Sequence, residues 1–239
     1  MSTLPDTLEE AVTQAQASTK AAIADGLTRL QVELKFPELK VLPVAQQYLN
    51  GFEDRGAQMR VFFPDAGSGA LARRDWGDTP YPLRGIGELQ AVIQSDETLF
   101  VFVEPSPVEV EQVEALCEEA GDRPCVFLNP RLEDVATIGI GYAGRQLRDR
   151  FLNIIESCYY IRPLEGALLF RAYPFPWQVW VEAETGYTLV AEEAEKPVGD
   201  VLDRILLQAS GGDADSPTAA PPRRGFLAGV QDFLRALSQ

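Results

Sequence analysis

The chain has 239 residues, 46% hydrophobic and 24% charged, with a net charge of −15 and no histidine. That length and composition suit a globular α/β domain with a real core, and the acidity argues against nucleic-acid binding or flat adsorption of the body on an anionic membrane. The missing imidazole removes Ser-His-Asp and Cys-His nucleophiles, histidine acid–base chemistry and histidine-held metals.

Thr3 and Asp6 offer N-caps around Pro5. Leu8, Val12, Ala15, Thr19, Ala22 and Ile23 then recur at helical spacing up to a stop at Gly26. The opening MSTLPDTLEEAV lacks a basic stretch followed by an apolar one, so no secretory signal and a cytoplasmic residence are expected. Leu30, Val32, Leu34 and Phe36 alternate with Gln31, Glu33 and Lys35, which predicts a strand with one wet face, placed towards a sheet edge. Pro37 and Pro43 bracket a loop; a short helix over 44–53 and a second strand over 58–63 follow. Pro64-Asp65-Ala66-Gly67-Ser68-Gly69 turns into a short helix over 70–75, and it is no P-loop because Gly-Lys-Ser/Thr is missing. Residues 76–87 read as a surface loop, and a helix near 86–94 precedes the strand Leu99–Val103. That strand and 126–128 are apolar on both faces, as in the middle of a parallel sheet. Between them a helix runs from Pro105-Ser106-Pro107 to Gly121, with Glu109, Glu111, Glu114, Glu118 and Glu119 as a solvated face.

A helix over 143–156 comes next, and then the rhythm changes. The stretches 158–162, Ala167–Ala172, 178–182 and 187–192 are β-rich, with links short enough to make the neighbours antiparallel. A helix over 199–208 closes the domain. Trp177 and Trp180 fall on opposite faces of a regular strand, leaving one of them for a partner. Cys117, Cys125 and Cys158 have no C-x-x-C spacing and have apolar neighbours, so they read as buried thiols. No apolar run reaches the roughly 20 residues needed to span a bilayer. The fold class expected is α/β, a mainly parallel sheet flanked by helices with Rossmann-like layering and an antiparallel C-terminal extension. It occupies residues 1–209, followed by a flexible linker at 210–222 and a separate amphipathic C-terminal helix at 223–239.

Three candidate sites emerge. Gly139 to Gly144 match G-x-G-x-x-G, but about ten residues separate them from the strand, where a dinucleotide fingerprint would leave it directly. The helix start there, with Gly141, Gly144, Arg145 and Arg148, and with Arg171 from a later strand, is a candidate anion or partner site. Ion pairing with acidic neighbours is the other reading of those arginines. At the carboxyl end of the sheet Asp65, Glu104 and Asn129 follow successive strands, with Ser68 and Ser106 close in sequence; they line a pocket or cap helices. In the tail, Phe226, Leu227, Val230, Phe233, Leu234 and Leu237 form an apolar stripe beside Arg223, Arg224 and Arg235. Docking on its own domain, in a partner's groove or on a membrane surface are all open to it. No metal and no cofactor are expected.

The stretches LPDTLEEAVTQAQASTKAAIADGLTRLQVEL, VFFPDAGSGALARRDW, FLNPRLEDV followed by GIGYAGRQLRDRF, and LLFRAYPFPWQVW together resemble one family. It is the domain of unknown function numbered nineteen-ninety-five, found in cyanobacteria and chloroplasts, and the resemblance covers residues 4–208. Its members include a chloroplast factor needed for photosystem II accumulation, with a role in assembling a chlorophyll-binding core antenna subunit; a related domain is attached to a chloroplast adenylate kinase. The resemblance implies a photosynthetic organism and an auxiliary role in photosystem biogenesis. It implies no catalytic residues, and the kinase motif is absent here. The function expected is a non-catalytic factor in photosystem assembly, most specifically photosystem II. It would act through protein contacts with a photosystem subunit or assembly factor at the thylakoid surface, with peripheral membrane contact through the C-terminal helix. The alternative expected is an enzyme or sensor that binds a phosphorylated small molecule at the carboxyl end of the sheet.

Overall fold

The computed structural model describes residues 3–88, 92–132 and 142–210. The strands are Arg29–Leu34 (β1), Met59–Phe63 (β2), Leu83–Gly85 (β3), Leu99–Val103 (β4), Cys125–Leu128 (β5), Glu156–Leu164 (β6), Ala167–Ala172 (β7), Trp177–Ala183 (β8) and Gly186–Glu193 (β9). They form one nine-stranded sheet in the order β3-β2-β4-β5-β1-β6-β7-β8-β9. Neighbours from β3 to β6 are parallel, and those from β6 to β9 are antiparallel. The split follows from the links: parallel neighbours need a crossover, while the two-residue links before β7 and β9 permit only hairpins.

The helices are Leu8–Ala24 (α1), Val41–Asn50 (α2), Ala66–Trp76 (α3), Val110–Ala120 (α4), Tyr142–Arg150 (α5) and Asp200–Ala209 (α6). The cap of α1 is Thr7, whose side chain accepts from the Glu10 N–H at 3.1 Å, and not Thr3 or Asp6. Asp65 caps α3, which therefore starts at Ala66 and not at 70 as expected. Ser106 and Glu109 form a capping box before α4.

Alternation along the strands sends side chains to two cores. Val61, Val101, Val126, Val32 and their neighbours meet α1, α2 and Ala72 of α3 on one face. Phe62, Phe100, Phe102 and Phe127 meet α4 and α5 on the other. The rings there form a run, with centroids 4.9 Å apart for Phe62–Phe102, 5.2 Å for Phe102–Phe127 and 6.2 Å for Phe127–Phe151. Each such ring removed from water contributes about 1.5–3 kcal/mol. On that same face a smaller cluster of Tyr160, Leu169, Trp177 and Val179 lies under Ile205 of α6.

Several expectations need correction. β1 is not an edge strand: it sits in the sheet interior between β5 and β6. Both of its neighbours are strands, and among the described residues no helix packs over its polar face. Leu83–Gly85, expected within a loop, pairs with β2 as an edge strand. Of the helix expected near 86–94, residues 86–88 and 92–94 are turn or irregular, and 89–91 lie outside the described residues. The helix expected over 143–156 stops at Arg150, because Phe151 and Leu152 turn into the core at 3% and 4% exposure; a 3-10 turn over Leu152–Ile154 leads straight into β6. Leu99–Val103 and Ala167–Ala172 form the strands expected of them, and all three cysteines are free and buried. Residues 139–141 of the glycine motif, the linker from 211 and the tail lie outside the described residues.

Candidate functional site

A strand in the middle of a parallel sheet is normally apolar on both faces. β1 departs from this. Leu30, Val32 and Leu34 enter the first core, so Gln31, Glu33 and Lys35 point to the face that carries α4, α5 and α6. The cover parts there: α4 and α5 pack over β4 and β5, whereas α6 packs on β8 and β9. Over β1 the gap holds a cavity of about 500 Å³. Gln31, Glu33, Lys35, Arg131 and Lys196 supply its polar lining. Pro107, Pro130, Leu132, Leu152 and Ile155 supply the apolar lining.

The position is a topological switch point. The chain leaves β1 for β2 through α2 on one face, and leaves β5 for β6 through α5 on the other. Open α/β sheets bind ligands in the crevice beyond the carboxyl ends of two such strands.

Glu33 is 7% exposed. Its Oε1 lies 2.9 Å from Lys35 Nζ, and its Oε2 lies 4.0 Å from Lys196 Nζ. Lys196 also stands over two rings, 4.0 Å from the Tyr160 centroid and 5.4 Å from that of Trp177. A buried carboxylate without a partner costs several kcal/mol, so this pairing is what lets Glu33 stay inside. Arg131 donates to Glu104 at 2.7 Å, with its own side chain 71% exposed. Among the described lining residues Lys35, Arg131 and Lys196 are basic and Glu33 is acidic, with two ammonium groups beside that one carboxylate.

The residues expected at the carboxyl end do follow β2, β4 and β5 in turn, but their side chains have local duties. Asp65 Oδ1 accepts from Ser68 N at 2.9 Å, and the Ser68 hydroxyl donates to Oδ2 at 2.8 Å. Those bonds, the backbone one foremost, hold the Asp65 pKa below its ordinary value. Asn129 Oδ1 accepts from Leu34 N at 2.6 Å. Glu104 alone of that set reaches towards the cavity, through Arg131.

The arginines of the other candidate site are spread out. Arg145 is exposed on α5, and Arg148 falls in its last turn with Arg150. Arg150 makes a two-pronged ion pair with Glu114 at 2.6 and 2.8 Å. Arg171 lies on β7, three strands from β5 and so about 14 Å away across the sheet. It pairs with Glu156 and stands 5.3 Å from the Trp177 ring. Gly144 is buried in α5; Gly141 and the tail residues Phe226, Leu227, Val230, Phe233, Leu234 and Leu237 lie outside the described residues.

A second concave surface occupies the opposite face. Leu4, Pro5, Phe175, Trp180, Tyr187 and Leu189 floor a groove of about 910 Å³ over β8 and β9. Asp6, Glu182, Glu184 and Glu192 stand around it. Trp180 donates through Nε1 to Gln178 at 3.2 Å, and Gln178 donates to Glu192 at 2.9 Å, so the polar edge of the indole is satisfied while the half-buried ring packs against the first core and lines the groove.

Sequence reasoning missed Gln31, Glu33, Lys35 and Lys196 as a group. The signal was present in β1, a strand polar on one face in the same parallel half as β4 and β5, which are apolar on both. Lys196 carried none, since it lies in the connection between β9 and α6. Among the described residues no three His, Cys, Asp or Glu side chains converge as a metal site, and no helix is long and apolar enough to cross a membrane. Cys158 is pushed up to about 12, chiefly by burial, which keeps it a thiol.

The model of the family described as a domain of unknown function (DUF1995) matches residues 5–204. No solved structure matches the chain. The chain belongs to the DUF1995 family.

Proposed function

We propose that this protein is a non-catalytic binding factor in photosystem assembly, most specifically photosystem II, and acts through protein contacts at the thylakoid surface. The observation that carries the protein-contact reading is the groove over β8 and β9. Aromatic and aliphatic side chains floor it, carboxylates rim it, and none of α1 to α6 covers it. Such a surface fits an amphipathic segment with a basic edge, with Trp180 as its anchor. The photosystem part rests on family likeness, and the tail stripe of Phe226 to Leu237 supplies a second contact element.

The test is affinity purification of the full chain from thylakoid-containing cells, wild type against Trp180→Ala with Leu189→Glu. The wild type should enrich photosystem II subunits or assembly factors. Loss of an aromatic anchor costs about 2 kcal/mol, roughly thirtyfold in affinity, so the variant should lose most of that enrichment; Trp180 also packs against the first core, so Leu189→Glu alone, read with its unfolding midpoint, separates a lost contact from a lost fold. Equal enrichment by both chains, or none of photosystem proteins by the wild type, would refute the proposal.

A further inference from the structure

We infer that the cavity over β1 binds a small organic oxyanion, a phosphate or carboxylate group carried on an apolar body. This reading does not depend on the protein contacts proposed above, which use the opposite face of the sheet.

Place, size, charge and shape agree on it. The cavity lies at the switch point between β1 and β5, where this class of sheet binds ligands. Its volume of about 500 Å³ is within the usual range for small-molecule sites. Lys35 and Lys196 share Glu33, and Arg131 adds a further cation near the mouth, while the protein as a whole carries −15. Leu132, Leu152 and Ile155 offer an apolar wall to the rest of the molecule.

Folding does not call for this arrangement. A buried ion pair contributes little more than apolar side chains of the same volume would, and often less. Gln31, Glu33 and Lys35, polar side chains that an interior strand and its end turn towards a cavity, are therefore better explained by a ligand than by stability.

In the bound state the two ammonium groups turn from Glu33 to the oxyanion, and Arg131 releases Glu104 to close on it. Glu33 then opposes the ligand by like charge, which gives the site a signature that a structural ion-pair cluster lacks. Removing the Glu33 charge strengthens binding, whereas removing the lysine charges weakens it.

The experiment is isothermal calorimetry with thermal-shift measurements on the full chain. The probes are phenyl phosphate, AMP and phenylacetate, with inorganic phosphate for comparison. At least one organic probe should bind and raise the unfolding midpoint, and should bind more tightly than inorganic phosphate. The phosphate and carboxylate arms identify the head group. Lys35→Met with Lys196→Met should weaken binding at least about tenfold, as expected for lost charge-assisted contacts. Glu33→Gln should tighten it several-fold. Binding of none of the probes, or binding that survives the double lysine variant, overturns the assignment. Because the double lysine variant leaves the Glu33 carboxylate without the partners that hold it inside, it is also measured on the Glu33→Gln background, where no buried charge is left alone.

Discussion

Asn129 illustrates how one side chain decides a local geometry. It follows β5 with φ at +47°, in the left-handed region that asparagine tolerates better than most residues. Its N–H donates to Val32 O at 2.8 Å, and its Oδ1 accepts from Leu34 N at 2.6 Å, so it straps the end of β5 to the end of β1 beside the cavity. Asn129→Ala leaves the Leu34 N–H buried without a partner and forces an alanine into that conformation, a combined loss of about 2–4 kcal/mol. Asn129→Gly loses the acceptor but not the backbone freedom, so it should cost about 1–2 kcal/mol less. Urea unfolding with an unchanged slope measures both; midpoints equal to wild type for the pair would show that the strap carries no stability. The sequence placed Asp65, Glu104 and Asn129 correctly, each just after a strand. It could not separate cap and strap from ligand, because the same oxygen atoms do either job. The choice lies in the Ser68 N–H and the Leu34 N–H, and only the fold brings Leu34 to Asn129.

At the level of elements, composition reported helix cover more faithfully than place in the sheet. β4 and β5 read as interior strands because both faces are covered, and they are interior. β1 read as an edge because one face was wet, and it is interior too, with a cavity over that face. The antiparallel half was legible from its links, since two residues cannot cross a sheet. β3 was not legible, because three residues show no period. What holds β3 is a close approach at Gly85. A Cβ there would meet Ala66 N at 2.6 Å and the Asp65 carbonyl carbon at 2.7 Å, both backbone atoms that cannot swing away. Gly85→Ala should therefore push β3 off the α3 N-terminus at a cost of about 1–3 kcal/mol. Hydrogen exchange locates the damage. The Ile86 N–H, bonded to Phe63 O at 2.7 Å, should lose protection while β4 and β5 keep theirs. Unchanged exchange at Ile86 would mean that the strand accommodates the methyl group without moving.

For the whole molecule the deciding quantity is the distribution of charge. The chain carries −15, yet the segment 223–239 holds Arg223, Arg224 and Arg235 against the single acid Asp232. A membrane with anionic lipids repels the body and attracts that segment, at about 1 kcal/mol for each arginine near the surface. The apolar stripe from Phe226 to Leu237 adds a face that a membrane surface can bury. Removing 211–239 should therefore leave the unfolding midpoint of the domain unchanged while abolishing co-sedimentation with thylakoid membranes. Sedimentation of the full chain should weaken as salt is raised, because part of the attraction is screened over about 10 Å at moderate ionic strength. A midpoint that falls on deletion, together with a full chain that never sediments, would mean instead that the stripe is held by the domain itself. The acidic groove over β8 and β9 would then be its complement, with Asp6, Glu182, Glu184 and Glu192 facing the three arginines. The two outcomes exclude each other, and an unchanged midpoint in a full chain that never sediments would assign the tail to a partner protein instead.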